Sequence, residues 1–143
     1  VNAPRCQGVA AHFGNRQAFD LADVSVRCGN AFGAVMAVPL DDQPLATSRR
    51  VLVQAGMPCR PTGWRCRPAA VTPEGGAPAR GWRVVDFGRA PWAVETPKLR
   101  VALRNRGLTR ARALDMNGMP AGEVPLSGGA FDFPDGAMYV VVE

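Results

Sequence analysis

The chain has 143 residues, 47% of them hydrophobic and 20% charged, which suits one domain with a core and excludes a disordered tail. Its 16 glycines and 13 prolines argue against a helical bundle and for short elements joined by turns. Seventeen basic residues against twelve acidic ones give a net charge of +5, compatible with nucleic acid, an anionic membrane or an acidic polysaccharide, and selecting none of them.

Gln7 to His12 is the first apolar run, and Asp23 to Cys28 alternates with period two, as a half-buried strand does. Phe32 to Leu40 is nearly continuous apolar and suits a strand of the core; Asp41 to Pro44 is a turn. Arg49 to Ala55 alternates again, with Val51, Val53 and Ala55 on one face. Cys59 and Cys66 bracket a tight turn around Gly63, and the Pro- and Gly-rich stretch from Pro68 to Arg80 reads as a loop. Trp82 to Phe87 is the next strand. Lys98 to Arg104 alternates most cleanly, and Asn105-Arg106-Gly107 turns it into Leu108 to Leu114. Asp115 to Gly118 is another turn; Val124 to Leu126, Ala130 to Phe133 and Ala137 to Val142 complete roughly ten strands. This predicts an all-β antiparallel β-sandwich, broadly immunoglobulin-like, as one domain over residues 1–143.

Four cysteines allow three pairings. Position favours Cys6–Cys28 and Cys59–Cys66; free buried thiols and a zinc site are the alternatives, the latter opposed by the spacing and by a single histidine, His12. Disulfides imply a secreted or periplasmic protein. Residue 1 leads into a strand-like segment without a signal-peptide pattern, so the sequence reads as a mature chain or an excised domain.

Leu40 to Val53, then Thr62-Gly63-Trp64, Pro91 to Glu95, Leu114 to Gly118 with Glu123 to Leu126, and the closing Tyr139 to Val142 occur in that order over residues 32–143. Together they resemble the C-terminal β-sandwich accessory domain of large secreted bacterial glycoside-hydrolase-like and agarase-like proteins. The resemblance implies a fold and a context, with catalytic carboxylates on a preceding barrel. The quoted phrases are turns and strands, and none is a catalytic motif.

Catalysis finds little footing. A serine triad would need His12 with Ser25, Ser48 or Ser127, and no nucleophile elbow is present. Most acids sit at turns, where turn chemistry explains them; Asp132 and Asp135 have a spacing that would suit calcium with carbonyl help. No catalytic residue, metal or cofactor is therefore expected.

Residues 98–112 carry Lys98, Arg100, Arg104, Arg106, Arg110 and Arg112 and no acid. Folded as a hairpin, they place Lys98, Arg100, Arg104, Arg110 and Arg112 on one face, with Leu99, Val101, Leu103, Thr109, Ala111 and Ala113 on the other. That basic patch is either a solvated face, one meeting the acids of a neighbouring domain, or a site for a sulfated or uronic glycan. Trp64, with Arg60 and Arg65 around it, is the first candidate for stacking a sugar ring; Trp82 and Trp92 follow, with core packing as the ordinary role of each. The basic segment and the aromatics lie apart in sequence, which disfavours nucleic acid, and no membrane partner is expected. The expected function is a non-catalytic, carbohydrate-associated accessory domain that holds glycan or buttresses a catalytic barrel. A stand-alone binding module for anionic polysaccharide comes second and a small glycan-active enzyme third.

Overall fold

The computed structural model describes residues 1–14 and 16–143. In chain order the strands are β1 (Asn2–Ala3), β2 (Cys6–His12), β3 (Ala18–Asp20), β4 (Val24–Cys28), β5 (Phe32–Pro39), β6 (Val51–Gly56), β7 (Cys59–Thr62), β8 (Arg65–Val71), β9 (Ala79–Asp86), β10 (Arg89–Val94), β11 (Leu99–Leu103), β12 (Ala111–Leu114), β13 (Pro120–Val124), β14 (Ala130–Asp132) and β15 (Tyr139–Val142). All pairings are antiparallel, and no helix occurs among the described residues. The chain divides into two compact units, Val1–Met57 with Thr96–Glu143, and Pro58–Glu95.

The first unit is sandwich-like. A seven-stranded sheet runs β1-β2-β5-β6-β15-β12-β13, and a four-stranded sheet runs β14-β11-β4-β3. Alternation in sequence becomes burial in space. Val51, Val53 and Ala55 of β6 are buried, as are Val24, Val26 and Cys28 of β4 and Leu99, Val101 and Leu103 of β11. These join Phe13, Val35, Phe131 and Val140 in one hydrophobic cluster drawn from both sheets. Each fully buried aliphatic or aromatic side chain contributes roughly 1.5–3 kcal/mol, so the shared core holds the two layers together.

β11 and β12 follow one another in sequence but do not pair. β11 lies between β4 and β14, with Val101 opposite Val26 and Phe131; β12 lies between β13 and β15, with Ala113 opposite Gly122 and Val140. The expected basic hairpin is therefore a crossover between sheets. Asn105 anchors it, donating from Nδ2 to the Leu45 and Ser48 carbonyls at 3.0 and 2.8 Å and accepting the Gly107 N–H at 3.0 Å. Leu108 is buried there and Thr109 exposed, the reverse of the hairpin expectation, because a crossover resets the phase of alternation.

The second unit, between β6 and β11 in sequence, is a two-stranded ribbon. β7 pairs with β10 and β8 with β9, in nested register from Cys59↔Val94 to Val71↔Ala79. A turn at Pro61–Trp64, closed by the Trp64 N–H on the Pro61 carbonyl at 3.1 Å, leads from β7 into β8. Its facing turn needs Gly88: φ is +65°, and a Cβ there would stand 2.4 Å from the Thr62 carbonyl oxygen. Asp86 fixes the same turn by accepting the Gly88 N–H at 2.9 Å. The stretch 68–80, expected as a loop, supplies most of β8 and the start of β9.

The expected disulfides are not formed; all four cysteines are free and no pair lies at bridging distance. Cys6 sits opposite Ala3 in the seven-stranded sheet, whereas Cys28 sits opposite Leu99 in the four-stranded one. Cys59 and Cys66 lie on consecutive strands and face Val94 and Val84 across separate ladders instead of each other. Burial pushes the Cys28 thiol above its usual value, and its sulfur lies 3.8 Å from Asn30 Oδ1. The inference of an oxidising compartment rested on the bridges and loses that support.

Candidate functional site

Three of the six cations of the basic segment are paired with acids of their own unit. Arg100 meets Asp132 at 2.7 Å, Arg110 meets Glu123, and Arg112 meets Glu143. Arg104 donates to the Ala22 carbonyl and Arg106 to the Gly128 carbonyl. The Arg110 guanidinium holds the Glu123 carboxyl below its ordinary range, and Glu123 in turn raises Arg110. Such surface pairs are worth ~1 kcal/mol or less each, and they set three carboxylates among the cations. Lys98, exposed, has its side chain beside Gly29. Asp132, considered for calcium, is engaged by Arg100, and no cluster of three or more His, Cys, Asp or Glu suited to a metal occurs among the described residues. His12 faces Phe32 across the sheet, the ring centroids 5.4 Å apart.

The aromatics divide differently from the sequence expectation. Trp64, the first candidate, is half-buried. Its ring meets the Phe87 edge at 5.6 Å between centroids and carries the Arg60 guanidinium 5.4 Å from its own centroid. Its Nε1 is buried and has no acceptor. Arg65 is tied to Asp86 at 3.1 Å, and the Gly88 N–H together with Arg65 holds the Asp86 carboxyl below its ordinary value. Trp64, Arg60 and Arg65 thus meet neighbours in the middle of the ribbon, with both arginines still exposed. Trp82 and Trp92, ranked lower, are 66% and 65% exposed.

Register explains that exposure. Trp82 stands opposite Pro68, and Trp92 opposite Pro61. Proline offers no side chain long enough to cover an indole, so each ring keeps an open face. No residue of 58–95 is buried, and Val71, Val85, Phe87 and Val94 are also exposed there. A ribbon of two strands is marginal in water by itself.

Two hollows lie on the ribbon. One, of about 350 Å³, is lined by Arg60, Pro61, Trp64 and Val94 with Glu95 at its rim. The other, of about 670 Å³, is an open groove along Pro68, Ala70, Pro78, Arg80 and Trp82.

Comparisons with family models, curated proteins and solved structures give no match. The resemblance to glycoside-hydrolase-associated accessory domains accordingly stands on the sequence phrases alone. The chemistry of the site rests on the ribbon's own geometry. Sequence carries no signal for that site, because the opposition of tryptophan to proline is a matter of cross-strand register.

Proposed function

We propose that the chain is a non-catalytic accessory domain of a secreted polysaccharide-degrading protein, and that its ribbon holds glycan. The observation that carries the reading is the pair Trp82 and Trp92, about two-thirds exposed and set opposite prolines in a unit with no buried residue. Flat, open indole faces stack on the apolar faces of pyranose rings. Covering one such face removes ~80 Å² from water, which at ~25 cal/mol/Å² stabilises binding by about 2 kcal/mol. That corresponds to roughly 30-fold in affinity per ring. An extracellular location follows from the substrate class.

A second reading, that the domain buttresses a neighbouring catalytic domain, draws on the outward face of the seven-stranded sheet. Met36, Gln54, Tyr139 and Leu114 face outward in one row across four strands, and Met36 and Phe32 are 45% and 46% exposed. Antiparallel sheets usually turn a polar face to water, and this one does so only in part.

Affinity gel electrophoresis with neutral, uronic and sulfated polysaccharides at two salt concentrations tests the first reading. We expect retardation by one glycan class that weakens in Trp82→Ala and Trp92→Ala, while the fold is unchanged by circular dichroism. Absence of retardation by every glycan would refute glycan holding and leave the buttress.

A further inference from the structure

We propose that the groove along β8 and β9 accepts an acidic sugar residue, with Trp82 stacking its ring and Arg80 forking its carboxylate or sulfate. The inference rests on the glycan reading of the ribbon and names the class of sugar.

Register sets the two groups side by side. Pro68 opposes Trp82, and Ala70 opposes Arg80. Directly opposed residues share a face, and so do residues two apart along a strand. Trp82, Pro68, Arg80 and Ala70 therefore occupy one face, with Trp82 and Arg80 separated along β9 by about 6.5–7 Å. That spacing lets a ring lie on the indole while a substituent at its edge meets the guanidinium. Pro68 and Ala70 line the same groove of about 670 Å³ and add no charge to it.

The other arginines of β7, β8 and β9 are engaged or lie on the opposite face, and Arg89 stands on β10, opposite Thr62. Arg60 lies over Trp64, and Arg65 is paired with Asp86. Arg67 and Arg83 oppose one another one residue out of phase with Trp82, hence on the other face. Among the described residues Arg80 has no acid within ion-pair distance. It is the cation beside the platform. A guanidinium presents a rigid planar fork to a carboxylate or sulfate, which an ammonium does not. Gly81, between the two, keeps the platform in place. A Cβ there would lie 2.3 Å from Val71 Cγ2, so the glycine lets the Val71 side chain pack against the backbone behind the groove.

Isothermal titration of the full chain separates the outcomes. The probes are oligogalacturonate, its methyl ester and a sulfated galactan oligosaccharide, each at low and moderate salt. The variants are Arg80→Gln, Arg80→Lys, Trp82→Ala and Arg83→Gln, the last a control of equal charge change on the other face. We expect the acid to bind about tenfold more tightly than its ester. Arg80→Gln should erase that ratio, Arg80→Lys should restore part of it, and Arg83→Gln should leave it standing. Tighter binding of uronate or of sulfate, lost in Arg80→Gln, supports the site and identifies the anion. Equal binding of acid and ester through Trp82 overturns this inference and leaves the glycan reading intact. An equal loss in Arg83→Gln and Arg80→Gln overturns it in favour of diffuse charge. Binding of no oligosaccharide overturns both.

Discussion

Asn105→Ala should destabilise the sandwich unit by about 3 kcal/mol. Asn105 Nδ2 supplies a donor to the Leu45 and Ser48 carbonyls, and both of those residues are 2% exposed. Truncation leaves two buried acceptors unmet at ~1–3 kcal/mol each, partly relieved by water and relaxation, and it also removes the acceptor of the Gly107 N–H. For a chain of this size that corresponds to a fall in Tm of about 10 °C. Asn105→Asp sharpens the test. Its carboxylate would face two carbonyl oxygens, so the neutral form is favoured in the fold and its folded pKa is raised. Stability of that variant should then recover as pH falls through the raised value, where the protonated carboxyl again donates, while the parent gains nothing there. Thermal unfolding followed by circular dichroism between pH 3 and 8, for an aspartate of ordinary pKa ~3.9, reads both effects. A loss below ~1 kcal/mol in Asn105→Ala, or an Asn105→Asp variant with the parent's pH profile, would refute the anchoring role of this side chain.

Three further outcomes follow from the same geometry. Phe131, 1% exposed between the sheets, should cost ~3–5 kcal/mol on truncation to Ala, whereas Phe87, 71% exposed and holding one edge-to-face contact with Trp64, should cost about 1 kcal/mol; urea midpoints of the two variants decide it. Asp41 accepts the Arg49 N–H at 2.9 Å, and Asp115 accepts those of Asn117 and Met119 at 2.8 and 2.9 Å; these bonds hold both carboxyls below their ordinary value. The stability they contribute is present above about pH 3.9 and is lost as pH falls through the depressed folded values, so an acid transition centred above about pH 5 would contradict it. With four free thiols, a disulfide-exchange reagent should titrate four per denatured chain. In the native chain exposed Cys59 should react first, and Cys28, buried and raised in pKa, last; fewer than four would mean a bridge.

Alternating apolar residues report one buried face, so β4, β6 and β11 were legible as strands of a core, and the inward residues of β6 and β11 were identified with them. The absence of helix followed from the same pattern and from the dense punctuation by glycine and proline. Alternation is silent about partners. Lys98 to Leu114 looks like a hairpin, yet β11 belongs with β4 and β14 and β12 with β13 and β15, because burying both strands in a two-layer core outweighs pairing neighbours in sequence. That choice set Arg100, Arg110 and Arg112 beside Asp132, Glu123 and Glu143, acids outside the basic segment. It also kept Cys6 and Cys28 on different sheets. The ribbon was the least legible part. A strand that buries neither face carries no hydrophobic period, so β7, β8 and β10 left no such signal. The sequence by itself determined that the fold is all-β and which residues of β6 and β11 face inward. Only the tertiary structure decided that Trp82 and Arg80 share a face opposite Pro68 and Ala70, because cross-strand register is a property of two segments and is written in neither alone.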